Sequence, residues 1–152
     1  MTLPYENATS GERALGEIQK LLRGFGCSRF GSMIDDEKRE IIVQFEYRGR
    51  RVQMTASIQG YAKAWLKEHP YNPSRARCSS KEHERKALNV ASVAVYSILR
   101  DWIKGQVMAI ETGILSFEGA FLGQILLPSG KTMLEYVSEG EQPLLAAPVD
   151  GG

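Results

Sequence analysis

The chain has 152 residues, of which 43% are hydrophobic and 24% are charged, and its formal net charge is +1. This length suits one domain with its own core, and the near-average composition excludes wholesale disorder. The two cysteines, Cys27 and Cys78, are far apart, so we expect reduced thiols. Since the longest uncharged stretch, 87–99, is too short and too polar to span a bilayer, we expect no membrane association. The N-terminus lacks the pattern of a secretory signal, which predicts a cytoplasmic protein.

The first predicted elements are a helix and a small sheet. Thr9 and Glu12 form a capping-box pattern, and helical spacing of apolar residues predicts a helix over about 10–24. Residues 41–48 alternate between apolar and polar, which predicts a half-buried strand. A turn at 48–50 leads into a second strand over about 52–57, and we expect residues 29–34 to add a third.

The second half of the chain is predicted to be mainly helical. Ser57 is the expected N-cap of a helix that Pro70 ends. Ser79 or Ser80 then begins the longest helix, which the pattern continues to Gly113. Because apolar residues occur around several of its sides, this helix is predicted to be either central or buried against a second subunit.

The C-terminal part is predicted to hold one more helix and a turn. Ser116 begins a short helix, and apolar segments on both sides of 128–131 predict a small hairpin. The whole pattern predicts an α+β fold for a single domain over 1–137. Its expected parts are an N-terminal helix, an antiparallel sheet of about three strands and a helical half with one long central helix. The tail, 138–152, is rich in Glu, Pro, Gly and Ala, and we expect it to be disordered.

The middle of the chain is strongly basic. From Arg48 to Lys86, ten Lys and Arg against three Glu give a net charge of +7, which leaves −6 for the rest. The candidate residues for binding nucleic acid or another anion are Arg48, Arg50, Arg51, Arg75, Arg77, Lys81, Arg85 and Lys86.

Aromatic residues are interleaved with these cations. They are Tyr47, Tyr61, Trp65 and Tyr71. Proteins that bind single strands use such a mixture to neutralise phosphates and to stack on bases. The alternative is a solvated basic face, with Tyr61 and Trp65 in the core at helical spacing.

Catalytic and metal sites have little support in the sequence, so we predict no cofactor, no metal and no enzymatic activity. A metal-dependent nuclease is a third hypothesis, in which Asp35 or Asp36 would hold a divalent ion together with Glu46. The two cysteines and two histidines lack the paired spacing of a zinc site.

Several segments resemble small accessory proteins of bacterial phages and prophages. These segments are Ile42–Phe45, Ala56–Leu66, Ile98–Gln106, Phe117–Leu122 and Leu127–Thr132. The resemblance covers about residues 4–137 and concerns structural motifs, so no site residue is carried over from it. It implies a role in the cytoplasm of a bacterial host cell, either in handling DNA during replication and recombination or in disarming a host defence.

Two hypotheses of function follow. The first is a non-enzymatic phage or prophage accessory protein that binds nucleic acid through the eight basic residues. The alternative is an anti-defence protein that sequesters an anionic nucleotide signal or blocks a host protein. In that case the basic residues would line a pocket, and the helix over 80–112 would form a homodimer.

Overall fold

The computed structural model describes residues 2–139, so the predicted tail lies outside the described residues except for Ser138 and Glu139. The elements in chain order are α1 (Gly11–Phe25), β1 (Arg29–Asp35), β2 (Glu40–Tyr47), β3 (Arg50–Ser57), α2 (Ile58–Glu68), α3 (Ser80–Glu111), α4 (Phe117–Phe121) and α5 (Met133–Glu139). A short 3-10 turn, Leu122–Gln124, follows α4. This order confirms the predicted fold class.

The sheet is antiparallel with the order β1-β2-β3. Its register places Phe45 opposite Phe30 on one side and opposite Val52 on the other. The alternation predicted for β2 is confirmed, because Ile41, Val43 and Phe45 are buried on the face that the helices cover. The other face of the sheet is open to solvent at Gln44.

The long helix α3 is the central element of the helical half. Helices α1 and α2 pack along it, and α4 packs near its C-terminal end. The first turn of α1 approaches α3 so closely that a Cβ on Gly11 would lie 2.9 Å from Cδ2 of Tyr96. Within residues 2–139, no helix combines the length and the apolar character needed to cross a bilayer.

Serine side chains begin three of the helices, as predicted. Ser57, Ser79 and Ser116 each accept a hydrogen bond from a backbone N–H in the first turn of α2, α3 and α4. The prediction for α1 was wrong by one residue, because Ser10 rather than Thr9 is its N-cap.

The prediction of a C-terminal hairpin was wrong for its second strand. The turn over 128–131 is present, but only one bridge, between Leu126 and Thr132, joins its two sides. The chain then enters α5, because Thr132 and Glu135 form a capping box. Thr132 Oγ1 accepts from the Glu135 N–H, and Glu135 Oε1 accepts from the Thr132 N–H.

Candidate nucleic-acid interface

All eight predicted anion-binding residues are exposed, but the structure divides them into two groups. The hairpin-tip group consists of Arg48, Arg50 and Arg51, at the β2–β3 turn. The loop–helix group consists of Arg75, Arg77, Lys81, Arg85 and Lys86, in the loop before α3 and in its first two turns.

The hairpin-tip group lies beside α4 and the end of α1. The Tyr47 ring stacks on Phe25 with 4.4 Å between centroids, and it lies 4.9 Å from the Phe117 ring of α4. Gln106 of α3 donates to the carbonyl of Ala120 in α4. The tip therefore belongs to the part of the molecule where α3 ends.

The loop–helix group lies where α3 begins. His83 and Lys86 both contact the Trp65 ring of α2, at 5.2 Å between ring centroids for His83 and at 5.9 Å from Nζ for Lys86. Between Lys86 and Gln106 the helix rises by about 30 Å, at 1.5 Å per residue. The eight residues therefore do not converge on one surface, because a helix of this length separates the two groups.

The charges of the hairpin-tip group are engaged within the protein. Arg50 forms an ion pair with Glu118 of α4. Arg51 Nε lies 3.9 Å from Oε2 of Glu46, and Arg29 Nε lies 3.7 Å from the same oxygen. The Arg48 guanidinium lies 5.1 Å from the centroid of the Tyr47 ring. Arg50 and Arg51 therefore face carboxylates within the protein, whereas the contact with Tyr47 leaves the charge of Arg48 in place.

The loop–helix group is different, because none of its five cations forms an ion pair with another residue of 2–139. Lys81 and Arg85 are one turn apart and lie about 160° around α3 from His83, at 100° per residue. Since His83 faces α2, these two side chains point away from the helix pair into solvent.

Two further exposed lysines lie on α2, although sequence reasoning did not include them among the candidates. Lys63 and Lys67 are exposed and also form no ion pair within the described residues. They lie one turn apart and about 160° around α2 from Trp65, whose ring faces α3, so they form a separate exposed basic ridge that the spacing of Ala62 and Trp65 made readable. Residues 63–86 thus carry seven Lys and Arg against three Glu, a net charge of +4.

The four interleaved aromatics make internal contacts, and all four are buried or partly buried. Trp65 is only 5% exposed and packs against His69 with 4.5 Å between ring centroids. The Tyr61 hydroxyl donates to the Pro4 carbonyl, and the Tyr71 hydroxyl donates to the Cys78 carbonyl. Tyr47 stacks on Phe25, as described above. The placement of Trp65 in the core agrees with the alternative interpretation.

A polar network holds the end of α2 against the start of α3. Nε2 of His83 lies 2.6 Å from the carbonyl oxygen of His69. Nε2 of His69 lies 3.2 Å from both carboxylate oxygens of Glu6. The Leu3 N–H, which donates to Glu6, and the His69 ring together lower the pKa of the Glu6 carboxyl below its ordinary value. These contacts of Glu6, His69 and His83 therefore hold the start of α3, which carries part of the loop–helix group, against the end of α2. We call them the brace.

The carboxylates of the nuclease hypothesis lie at opposite ends of the sheet. Asp35 pairs with Glu40, whereas Glu46 pairs with Arg29. Six residues of strand separate these two positions, which is about 20 Å, so Asp35 and Glu46 cannot share one ion. Within residues 2–139, no three His, Cys, Asp or Glu side chains lie close enough together to hold a metal ion.

Four surface pockets have volumes between 350 and 640 Å³. Of the eight basic residues, only Arg51 lines any of these four. The five cations of the loop–helix group are exposed and line none of these four pockets. This geometry suits an extended anion better than a small one enclosed in a pocket.

Comparisons of the chain with protein-family models, with curated proteins and with solved structures found no match.

Proposed function

We propose that this protein binds nucleic acid without catalysing a reaction, through the phosphate backbone and the loop–helix group. The observation that carries the proposal is the set of five exposed cations of the loop–helix group, which form no ion pair within the described residues. Exposed Lys and Arg side chains without acidic partners gain most from phosphates, because binding releases the counterions condensed on the nucleic acid.

The geometry favours contact with phosphates over reading of bases. The aromatic rings near the loop–helix group are held in internal contacts, so stacking contributes little. The N-terminal end of the 32-residue helix α3 lies among the same cations, and its dipole adds positive potential there. We therefore expect binding with little dependence on base sequence.

This proposal agrees with the first role that the resemblance to phage accessory proteins implies, which is the handling of DNA in a bacterial host. The alternative, capture of a nucleotide signal, needs cations around a cavity. The loop–helix group is exposed and outside the four pockets described above, which favours the extended ligand.

Fluorescence anisotropy with labelled double-stranded DNA, single-stranded DNA and RNA tests the proposal. If about four phosphates are contacted, the logarithm of the association constant falls with the logarithm of salt concentration with a slope of about −3 to −4. Replacing Arg75, Lys81 and Arg85 together by Ser reduces affinity by about tenfold to a hundredfold and makes the slope shallower by about 2 to 3.

The matched control replaces Arg48, Arg50 and Arg51 by Ser, which removes the same net charge from the hairpin-tip group. We expect this control to change affinity by no more than about threefold, because those cations are already engaged. Absence of binding at low salt would overturn the proposal. Equal loss of affinity in both triple variants would show that only bulk charge matters, and it would refute the assignment to the loop–helix group.

A further inference from the structure

The outer edge of β1 is an exposed hydrogen-bonding edge. Strand β1 pairs with β2 on one side, and no strand within residues 2–139 lies on its other side. The opposite edge of the sheet is partly covered, because Ile125 bridges to Val52 of β3 and the Leu126 N–H donates to the Arg51 carbonyl. The two edges of the sheet are therefore not equivalent.

The residues of this edge lack the usual protection against pairing with another strand. The five central residues, Phe30–Ile34, include no charge and no proline. Met33 is 58% exposed and Ile34 is 48% exposed, although both belong to a regular strand. Monomeric proteins normally protect such an edge with Lys, Pro or a covering segment, so this edge is suited to receive a strand.

The sequence of β1 is complementary to itself when it is read in the opposite direction. We infer that β1 pairs antiparallel with β1 of a second copy of this chain, centred on Ser32, to form a six-stranded sheet in a symmetric dimer. In this register Arg29 faces Asp35 of the second copy, Phe30 faces Ile34, Gly31 faces Met33 and Ser32 faces its own counterpart. A two-fold axis through the Ser32 pair produces each of the other three contacts twice.

The side-chain faces agree with this register. Phe30, Ser32 and Ile34 share the face of the buried residues of β2, whereas Arg29 and Met33 lie on the other face. Phe30 thus meets Ile34 on one face of the extended sheet, and Met33 meets the open space above Gly31 on the other, where a Cβ would touch nothing within 4 Å. Phe30 and Ile34 make a favourable aromatic–β-branched pair, and Gly31 leaves room for the Met33 side chain.

The charged ends select the antiparallel direction. The Arg29 side chain is 74% exposed, and its pair with Glu46 is long, at 3.7 Å. Asp35 uses Oδ1 to accept the N–H groups of Glu37 and Lys38, which leaves Oδ2 for Arg29 of the second copy. A parallel pairing in register would instead place Arg29 beside Arg29 and Asp35 beside Asp35, which is repulsive.

A charge-swap experiment tests both the partner and the register. Arg29→Asp gives a chain with aspartate at both ends of β1, and Asp35→Arg gives a chain with arginine at both ends. Each variant alone should be monomeric by sedimentation velocity, whereas an equimolar mixture should form a heterodimer because both end pairs are then attractive. Circular dichroism first establishes that both variants are folded. Failure of the mixture to associate, with both chains folded and the parent chain dimeric, would refute the register.

A second pair of variants tests the edge itself. Met33→Lys places a charge on the exposed edge, and we expect it to weaken dimerisation by about tenfold or more. The matched control is Met108→Lys, at a methionine of α3 that is 52% exposed and lies outside the sheet, which should leave the dimer unchanged. A parent chain that is monomeric at the highest soluble concentration, or an equal effect of both lysine variants, would overturn the inference. This test is independent of nucleic-acid binding, because β1 contains none of the loop–helix residues.

Discussion

The hairpin-tip group and the loop–helix group have similar sequences, but their charges are used differently. The first consists of three Arg and the second of three Arg and two Lys, and both lie at or beside the ends of secondary-structure elements. At the hairpin tip, Glu118, Glu46 and the Tyr47 ring engage the three arginines. Around the start of α3, none of the five cations pairs with a carboxylate within residues 2–139, and Lys86 contacts the Trp65 ring. The charge of a segment therefore indicates an external partner only when the contacts of its side chains within the protein are known.

The largest expected effect comes from removing the aromatic ring that packs beside each group, Trp65 for the loop–helix group and Tyr47 for the hairpin-tip group. Trp65→Ala removes a buried ring that contacts His69, His83 and Lys86, so we expect a loss of about 3 to 5 kcal/mol in the free energy of unfolding. Because this ring fixes the start of α3 against α2, nucleic-acid affinity should also fall in conditions where the variant is folded. Urea denaturation and anisotropy titration measure the two effects.

Tyr47→Ala is the matched control for that prediction. It removes the ring between Phe25 and Phe117 and should cost about 2 to 3 kcal/mol, since Tyr47 is only partly buried. Nucleic-acid affinity should stay within about threefold of the parent if the loop–helix group carries binding. A larger loss of affinity in Tyr47→Ala than in Trp65→Ala would contradict the division into two groups.

An effect of intermediate size tests the ion pair between Arg50 of the hairpin tip and Glu118 of α4. A double-mutant cycle with Arg50→Ala and Glu118→Ala should give a coupling free energy of about 0.2 to 1 kcal/mol, because both side chains are about half exposed. This coupling should decrease as salt screens the pair. The matched cycle, Arg85→Ala with Glu118→Ala, joins residues of the two separate groups and should give no coupling. Thermal or chemical denaturation of the four proteins in each cycle provides the values, and coupling in the second cycle would argue against the separation.

The fold was predictable where local signals decided it. The alternation of Ile41, Val43 and Phe45 and the serine caps of α2 and α3 depend on neighbouring residues, and the structure confirms them. Helix α5 was missed, although Thr132 followed three residues later by Glu135 was a readable capping box. The turn residues before it favour a hairpin, and this signal competes with the capping box in the sequence.

The division of the candidate site was not predictable in the same way. Arg50 and Glu118 are 68 positions apart in the sequence, so their pairing depends on the packing of α4 against the hairpin tip. The separation of about 30 Å follows from the length of α3 together with the elements that contact each end. Periodicity gives the faces of single elements, but it gives no information on which elements meet.

The smallest expected effect concerns the brace beneath the loop–helix group, and it depends on pH. The folded protein lowers the pKa of Glu6 below its ordinary value of 4.5, first through the Leu3 N–H and then through His69. The stability from this carboxylate is therefore fully present above pH 4.5 and is lost as the pH falls through the lower, folded value. Glu6→Gln should destabilise the protein slightly at neutral pH and flatten the decline of its melting temperature below about pH 4.5. Differential scanning calorimetry between neutral and acidic pH measures this, with Glu111→Gln at the exposed end of α3 as the control. If Glu6→Gln and Glu111→Gln gave the same pH profile as the parent, the Glu6–His69 contact would contribute nothing to the brace, and the position of the start of α3 would depend on Trp65 and on the His83–His69 hydrogen bond.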